Sequence, residues 1–221
     1  MKLRGFSFFI LLIGLSIFSV DAFAQTAGRR MFFSDFTNGT VIFKGGTKTA
    51  ALLNYDTFEE QMIFKNGNEI MALASPELIS SIEINDHTFE WLEGDVFLEK
   101  IDTATVIIYK RNRNQLMSKG KGTAFGGVSN TSSVQPVNNL PRGYDKQGTE
   151  LSVNEDFDLM SDNLFYTKEK TGFRSLASPK QFCKTFGGDK KEVTKYIQTE
   201  KLNLQNVNDV IKVIEYCKNN Q

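Results

Sequence analysis

Between Gly39 and Met117 some eight short runs of alternating apolar and polar residues follow one another, separated at near-regular intervals by turn residues. A chain punctuated this way buries its apolar side as an antiparallel β-meander, because period-two alternation gives each strand one wet and one dry face. Thr40 to Lys44 is the first such run, closed by Gly45-Gly46, and Lys48 to Tyr55 returns along it. Glu59 to Lys65 and Glu69 to Ala74 flank Asn66-Gly67, a pair whose tolerance of positive φ suits a type I′ hairpin. Ser81 to Asn85, His87 to Glu93, Val96 to Ile101 and Thr105 to Tyr109 continue the pattern, and the basic, amide-rich Lys110 to Asn114 suits a strand end or loop that keeps an edge soluble.

Beyond Lys119 the texture changes. Ser129 to Arg142, with Pro136 and Pro141, has the composition of a long loop, and weaker strands are expected at Glu150 to Val153, Asp158 to Met160 and Asn163 to Lys168. From Ser178 the apolar period becomes helical. Ser178-Pro179-Lys180-Gln181 and Asp189-Lys190-Lys191-Glu192 are helix-start signatures, and Gly187-Gly188 separates them. A third helix is expected over Asn206 to Lys218, with Val207, Val210, Ile211, Ile214 and Cys217 on one stripe. The fold class is therefore α+β: an antiparallel meander sheet, curved or half-barrel, over residues 25–175, followed by a small helical segment over 176–221.

The N-terminus has the layout of a secretory signal peptide over residues 1–24: Lys2 and Arg4, an apolar run from Phe6 to Val20, then Ala22-Phe23-Ala24 as a cleavage site. A retained anchor is the competing reading, but the uncharged stretch from Gly5 to Val20 is shorter than the ~20 residues a spanning helix needs. No cysteine lies near the cleavage site, so a lipoprotein is not expected, and neither is a stable membrane span after cleavage. With 26 Lys and Arg against 26 Asp and Glu, the chain offers no charge excess to draw nucleic acid or an anionic surface.

Cys183 and Cys217 are the only cysteines. An even count in an exported chain favours a disulfide between them, worth about 3 to 4 kcal/mol on a chain-entropy estimate; two buried thiols are the other reading. The single histidine, His87, shares a strand face with Phe89 and Trp91 and is expected as a half-buried strand residue, not a catalytic one. One histidine and two distant cysteines do not make a zinc set, and no EF-hand ladder is present. Gly120-Lys121-Gly122 with Gly126 lacks the following helix that a dinucleotide loop requires. Ser118 to Lys121 matches Ser-x-x-Lys by spacing alone, and Glu59-Glu60 is expected on a solvated strand where the two side chains diverge. No catalytic, cofactor or metal residue is assigned.

Taken together, Gly39-Thr40-Val41 leading to Leu53-Asn54-Tyr55-Asp56, Met62-Ile63-Phe64, Ile82-Glu83-Ile84 with Phe89, the Gly120 to Gly126 segment and the Phe182 to Tyr216 tail resemble a group of uncharacterised exported proteins of Gram-negative bacteria. The resemblance implies a periplasmic or cell-surface location, carries over no functional residue, and implies that the sequons at Asn38 and Asn130 are idle. The functional expectation is a non-enzymatic binding protein of the cell envelope, without cofactor, whose partner is an envelope protein. The alternative is a carrier of an apolar ligand in the curved sheet.

Overall fold

The computed structural model describes residues 31–118, 121–122, 128–129 and 157–220. Its sheet is antiparallel, as expected, but the meander is not continuous. Strands β1 (Thr37–Phe43), β2 (Lys48–Asp56), β3 (Gln61–Asn66) and β4 (Glu69–Ala72) run side by side in chain order. The chain then turns back through a 3-10 turn at Pro76–Leu78, and β5 (Ile79–Ile84) pairs with β1 instead of β4. Ser75 sets this reversal with a left-handed φ of 53°, and Pro76 cannot donate to a continuing ladder. A second meander follows: β6 (His87–Glu93), β7 (Val96–Asp102) and β8 (Ile107–Arg111).

Beyond β8 come β9 (Asn114–Ser118), the two-residue strands β10 (Lys121–Gly122) and β11 (Val128–Ser129), which pair with each other, and β12 (Phe157–Ser161). β12 pairs with β9 as a ribbon, and the same hairpin continues inward as β13 (Leu164–Glu169) against β8, with β14 (Gly172–Ser175) outermost. The ten-stranded order is β14-β13-β8-β7-β6-β5-β1-β2-β3-β4, open at both ends. The expected strand at Glu150 to Val153 and most of the Lys119 to Arg142 loop lie outside the described residues.

Register shows which side is buried. Val41, Ile82, Phe89, Glu99, Lys110 and Phe165 stand opposite one another in one row across six strands, and that row carries the apolar face. The next row, Thr40, Glu83, Thr88, Lys100, Tyr109 and Tyr166, is mostly polar and belongs to the other face. The apolar face is covered in two ways. At one end the sheet rolls on itself: β3 lies five strand spacings from β7, about 24 Å in a flat sheet, yet the two strands touch. The roll encloses Val41, Leu53, Tyr55, Met62, Ile82, Ile84, Phe89 and Phe97. At the other end the helices cover Ile108, Phe165 and Leu176.

Those helices are α1 (Pro179–Phe186), α2 (Lys190–Thr199) and α3 (Val207–Asn219), close to the expected spans. Asp189 caps α2 by accepting from the Lys191 and Glu192 amides, and Asn206 caps α3 through Asn208 and Asp209. Ser178 does not cap α1 through its side chain; its hydroxyl bonds to Gln181. Val210, Val213, Ile214 and Cys217 are the fully buried residues of α3, whereas Val207 and Ile211 lie at the margin of its buried face.

One turn is shifted from expectation. The β3–β4 loop is centred on Gly67-Asn68, and only Gly67 takes a positive φ (62°), the pattern of a type II′ turn. Asn66 pairs with Glu69 as the last rung of the ladder, which leaves glycine alone to supply the left-handed residue.

Candidate functional site

Glu99 is the anomaly in the apolar row. It is 8% exposed, midway between the rolled core and the helix-covered core. Burying a carboxylate there requires full hydrogen bonding, and two neighbours on the same face provide it. His87 Nδ1 lies 2.7 Å from Glu99 Oε1, and Asn112 Nδ2, from a residue only 5% exposed, donates to Oε2 at 2.8 Å. A carboxylate accepts, so Nδ1 of His87 is the donor in this pair. Phe32 and Phe33 set their rings edge-on to the imidazole, at 5.1 and 5.4 Å, and Phe89 stacks behind it at 6.4 Å.

His87 is thus the half-buried strand residue expected, with an orienting partner that the sequence did not reveal. Positioned imidazole and carboxylate are two parts of a general-base arrangement. The third is not in place: among the described residues no hydroxyl or thiol hydrogen-bonds to His87. Nor do three or more His, Cys, Asp or Glu side chains converge on a metal-sized site among them.

A second polar cluster joins the β2–β3 turn to the start of β9. Arg111 grips Glu60 with two parallel hydrogen bonds of 2.5 and 2.7 Å, and Asn114 bonds Thr57 through its amide (2.9 Å) and its side chain (2.7 Å). The bond to Glu60, ahead of the opposing effect of burial, pushes the Arg111 guanidinium above its already high ordinary pKa. Two expectations are corrected here. Glu60 is not on a solvated strand but in a turn, at φ 59°, with its carboxylate committed to Arg111. Lys110 and Arg111 do not solubilise an edge, because β13 pairs outside β8 and makes it an interior strand. Further along, Asp162 gathers Gln115, Arg113 and Gln205, tying the base of the β9–β12 ribbon to the loop before α3.

The expected disulfide is also corrected. Cys183 on α1 and Cys217 on α3 do meet, since both lie on packed apolar helix faces, but they are free thiols in hydrogen-bond contact. Phe182, Val210, Val213 and Ile214 already hold the two helices together. Burial, then the negative charge of Asp189, pushes the Cys183 thiol up; burial, then Cys183, pushes Cys217 from 9.0 to about 11. A thiol whose folded pKa is raised keeps its proton where the unfolded chain has lost it. Its share of stability is therefore full below about pH 9 and lost as pH rises through about 11. Alkylation of the native protein at pH 8 is expected to leave Cys217 unlabelled while Cys183 labels slowly, with both labelled in denaturant. Mass spectrometry reads the result, and rapid native labelling of Cys217 would contradict it.

No family model, no curated protein and no solved structure matches the chain. Among the described residues no helix is long and apolar enough to cross a membrane.

Proposed function

We propose that the protein is an exported, non-enzymatic binding module of the bacterial cell envelope that receives an extended segment of a partner protein along strand β4. The observation that carries this reading is the state of β4. The roll ends where β3 meets β7, so β4 hangs outside it as the last strand, with all four residues exposed. Ile70 is 43% and Met71 44% exposed, and Leu52, in the same cross-strand row as Ile70, is 40% exposed.

The opposite edge is treated differently. β14 pairs Arg174 with Glu169 on its neighbour, and Lys168 nearby pairs with Glu90, so charge blunts that side. An edge with free backbone groups and apolar side chains is what strand addition uses: the ladder supplies affinity and the alternate side chains supply selectivity. Export is supported by the signal-like N-terminus. The carrier alternative would place a ligand where Leu53, Tyr55, Met62 and Phe97 fill the roll, so β4 supports the first reading better.

Ile70→Lys is the test. Because the side chain is exposed, stability should change by no more than about 0.5 kcal/mol. A photocrosslinking residue at Met71, introduced in producing cells, should trap one discrete protein adduct, and adding Ile70→Lys should abolish it. A crosslinker at Phe173 serves as the edge control. No adduct at Met71, or equal adducts at both edges, would refute the reading.

A further inference from the structure

The overlap of β3 on β7 is unusual in what holds it. Each strand already has a ladder on both sides, β2 and β4 for one, β6 and β8 for the other, so no backbone pairing can join them. Beside this overlap, polar contacts run from the β2–β3 turn to β8 and β9. Thr57 is bound by Asn114, and Glu60 is gripped by Arg111, whose side chain is also bonded to Tyr166. Asp56 shapes the same turn by accepting from the Phe58 and Glu59 amides. The turn contains strain as well: Glu60 is one of four non-glycine residues with positive φ among the described residues. Such a conformation is strained for a residue with a Cβ and persists where its surroundings enforce it. Here the β2–β3 ladder, in which Asp56 stands opposite Gln61, closes the turn, and the bidentate pair with Arg111 holds the Glu60 side chain.

We infer that the Thr57–Asn114 and Glu60–Arg111 contacts form a releasable clasp, and that the β3–β4 hairpin is a separately opening flap of the roll. Release removes the polar link to β8 and β9. It leaves the hairpin attached through the β2 ladder and the burial of Met62 and Ile63, while the β1–β5–β6 centre keeps all its pairings. The flap carries the exposed strand β4, so the clasp sets how firmly that edge is presented. The inference stands on the overlap and the turn, and holds whether or not β4 receives a partner.

Hydrogen exchange on the full mature chain tests it, in wild type, Arg111→Lys, Glu60→Gln and the charge-swapped pair Glu60→Arg/Arg111→Glu. Breaking a largely buried ion pair is expected to speed exchange of the β3 amides, Gln61–Asn66, on the order of 100-fold in Arg111→Lys, and less in the isosteric Glu60→Gln. Amides of β5 and β6 should change less than about tenfold, since local opening does not involve them. The swapped pair should restore β3 protection towards wild type. Unchanged β3 exchange in both single variants, equal acceleration of β3 and β5–β6, or no restoration in the swap would each overturn the clasp. Should Arg111→Lys not fold, Glu60→Gln and the swap decide the matter.

Discussion

Gly39→Ala is expected to lower stability by about 3 kcal/mol, at the upper end of what overpacking costs in a close-packed interior. Gly39 sits in the middle of β1 between β2 and β5, and a Cβ there would stand 2.8 Å from the Glu83 carbonyl oxygen, 2.9 Å from Ile84 Cγ1 and 2.9 Å from Leu53 Cδ1. The first of these is backbone of the paired strand, and the other two belong to side chains with no exposure, so none can retreat without moving the rolled core. Glycine is needed here for the close approach of three elements and not for its φ. For a chain of this size the loss corresponds to a melting temperature lower by roughly 6 to 12 °C. Gly45→Ala is the control: nothing lies within 4 Å of a Cβ at that hairpin position, so a change within about 0.5 kcal/mol is expected. Calorimetry of both variants gives the answer, and equal melting temperatures would mean that β1 does not lie as close to Glu83 as described.

Elements fixed by near neighbours were legible: His87–Glu93 is a strand with the expected bounds, Asp189 caps its helix, and Gly187 ends α1. Partners fixed at a distance were not. Ile82 has the same alternation whether β5 lies beside β4 or beside β1, and only the reversal at Ser75-Pro76 decides. Lys110 and Arg111 have the composition of an edge because the strand that covers them, β13, begins at Leu164. Glu99 is in phase with Phe97 and Ile101 in β7, a faint signal of burial, but period-two patterning does not tell a buried carboxylate from a solvated one until His87 and Asn112 are placed beside it. Polar residues given structural roles by remote backbone are the hardest to recognise, and Asn54 is the clearest case.

Asn54→Leu is expected to cost about 4 kcal/mol, because one buried side chain satisfies several backbone groups at once and each left unpaired costs about 1–3 kcal/mol, discounted for those that water can reach. Beyond Thr37 the N-terminal segment leaves the β1 line and rejoins β2 through Phe32, whose amide bonds the Tyr55 carbonyl at 2.9 Å. The residues between form an oversized bulge. Asn54 fills it: Oδ1 accepts from the Phe33 and Tyr55 amides at 3.0 and 2.8 Å, and Nδ2 donates to the Phe33 and Asp35 carbonyls at 2.9 and 3.2 Å. Leucine of similar volume supplies none of these bonds. Asn54→Asp keeps the acceptor but loses the donor, so its cost should fall between wild type and Asn54→Leu in urea unfolding. Because the same bulge aims Phe32 and Phe33 at the roll and at His87, the imidazole signals in an NMR spectrum should shift in both variants. Phe33→Ala separates the two supports of this segment, since it removes a ring and leaves the Asn54 bonds. If Phe33→Ala lowers stability as much as Asn54→Leu, and Asn54→Asp costs nothing, ring packing and not the amide holds the segment in place.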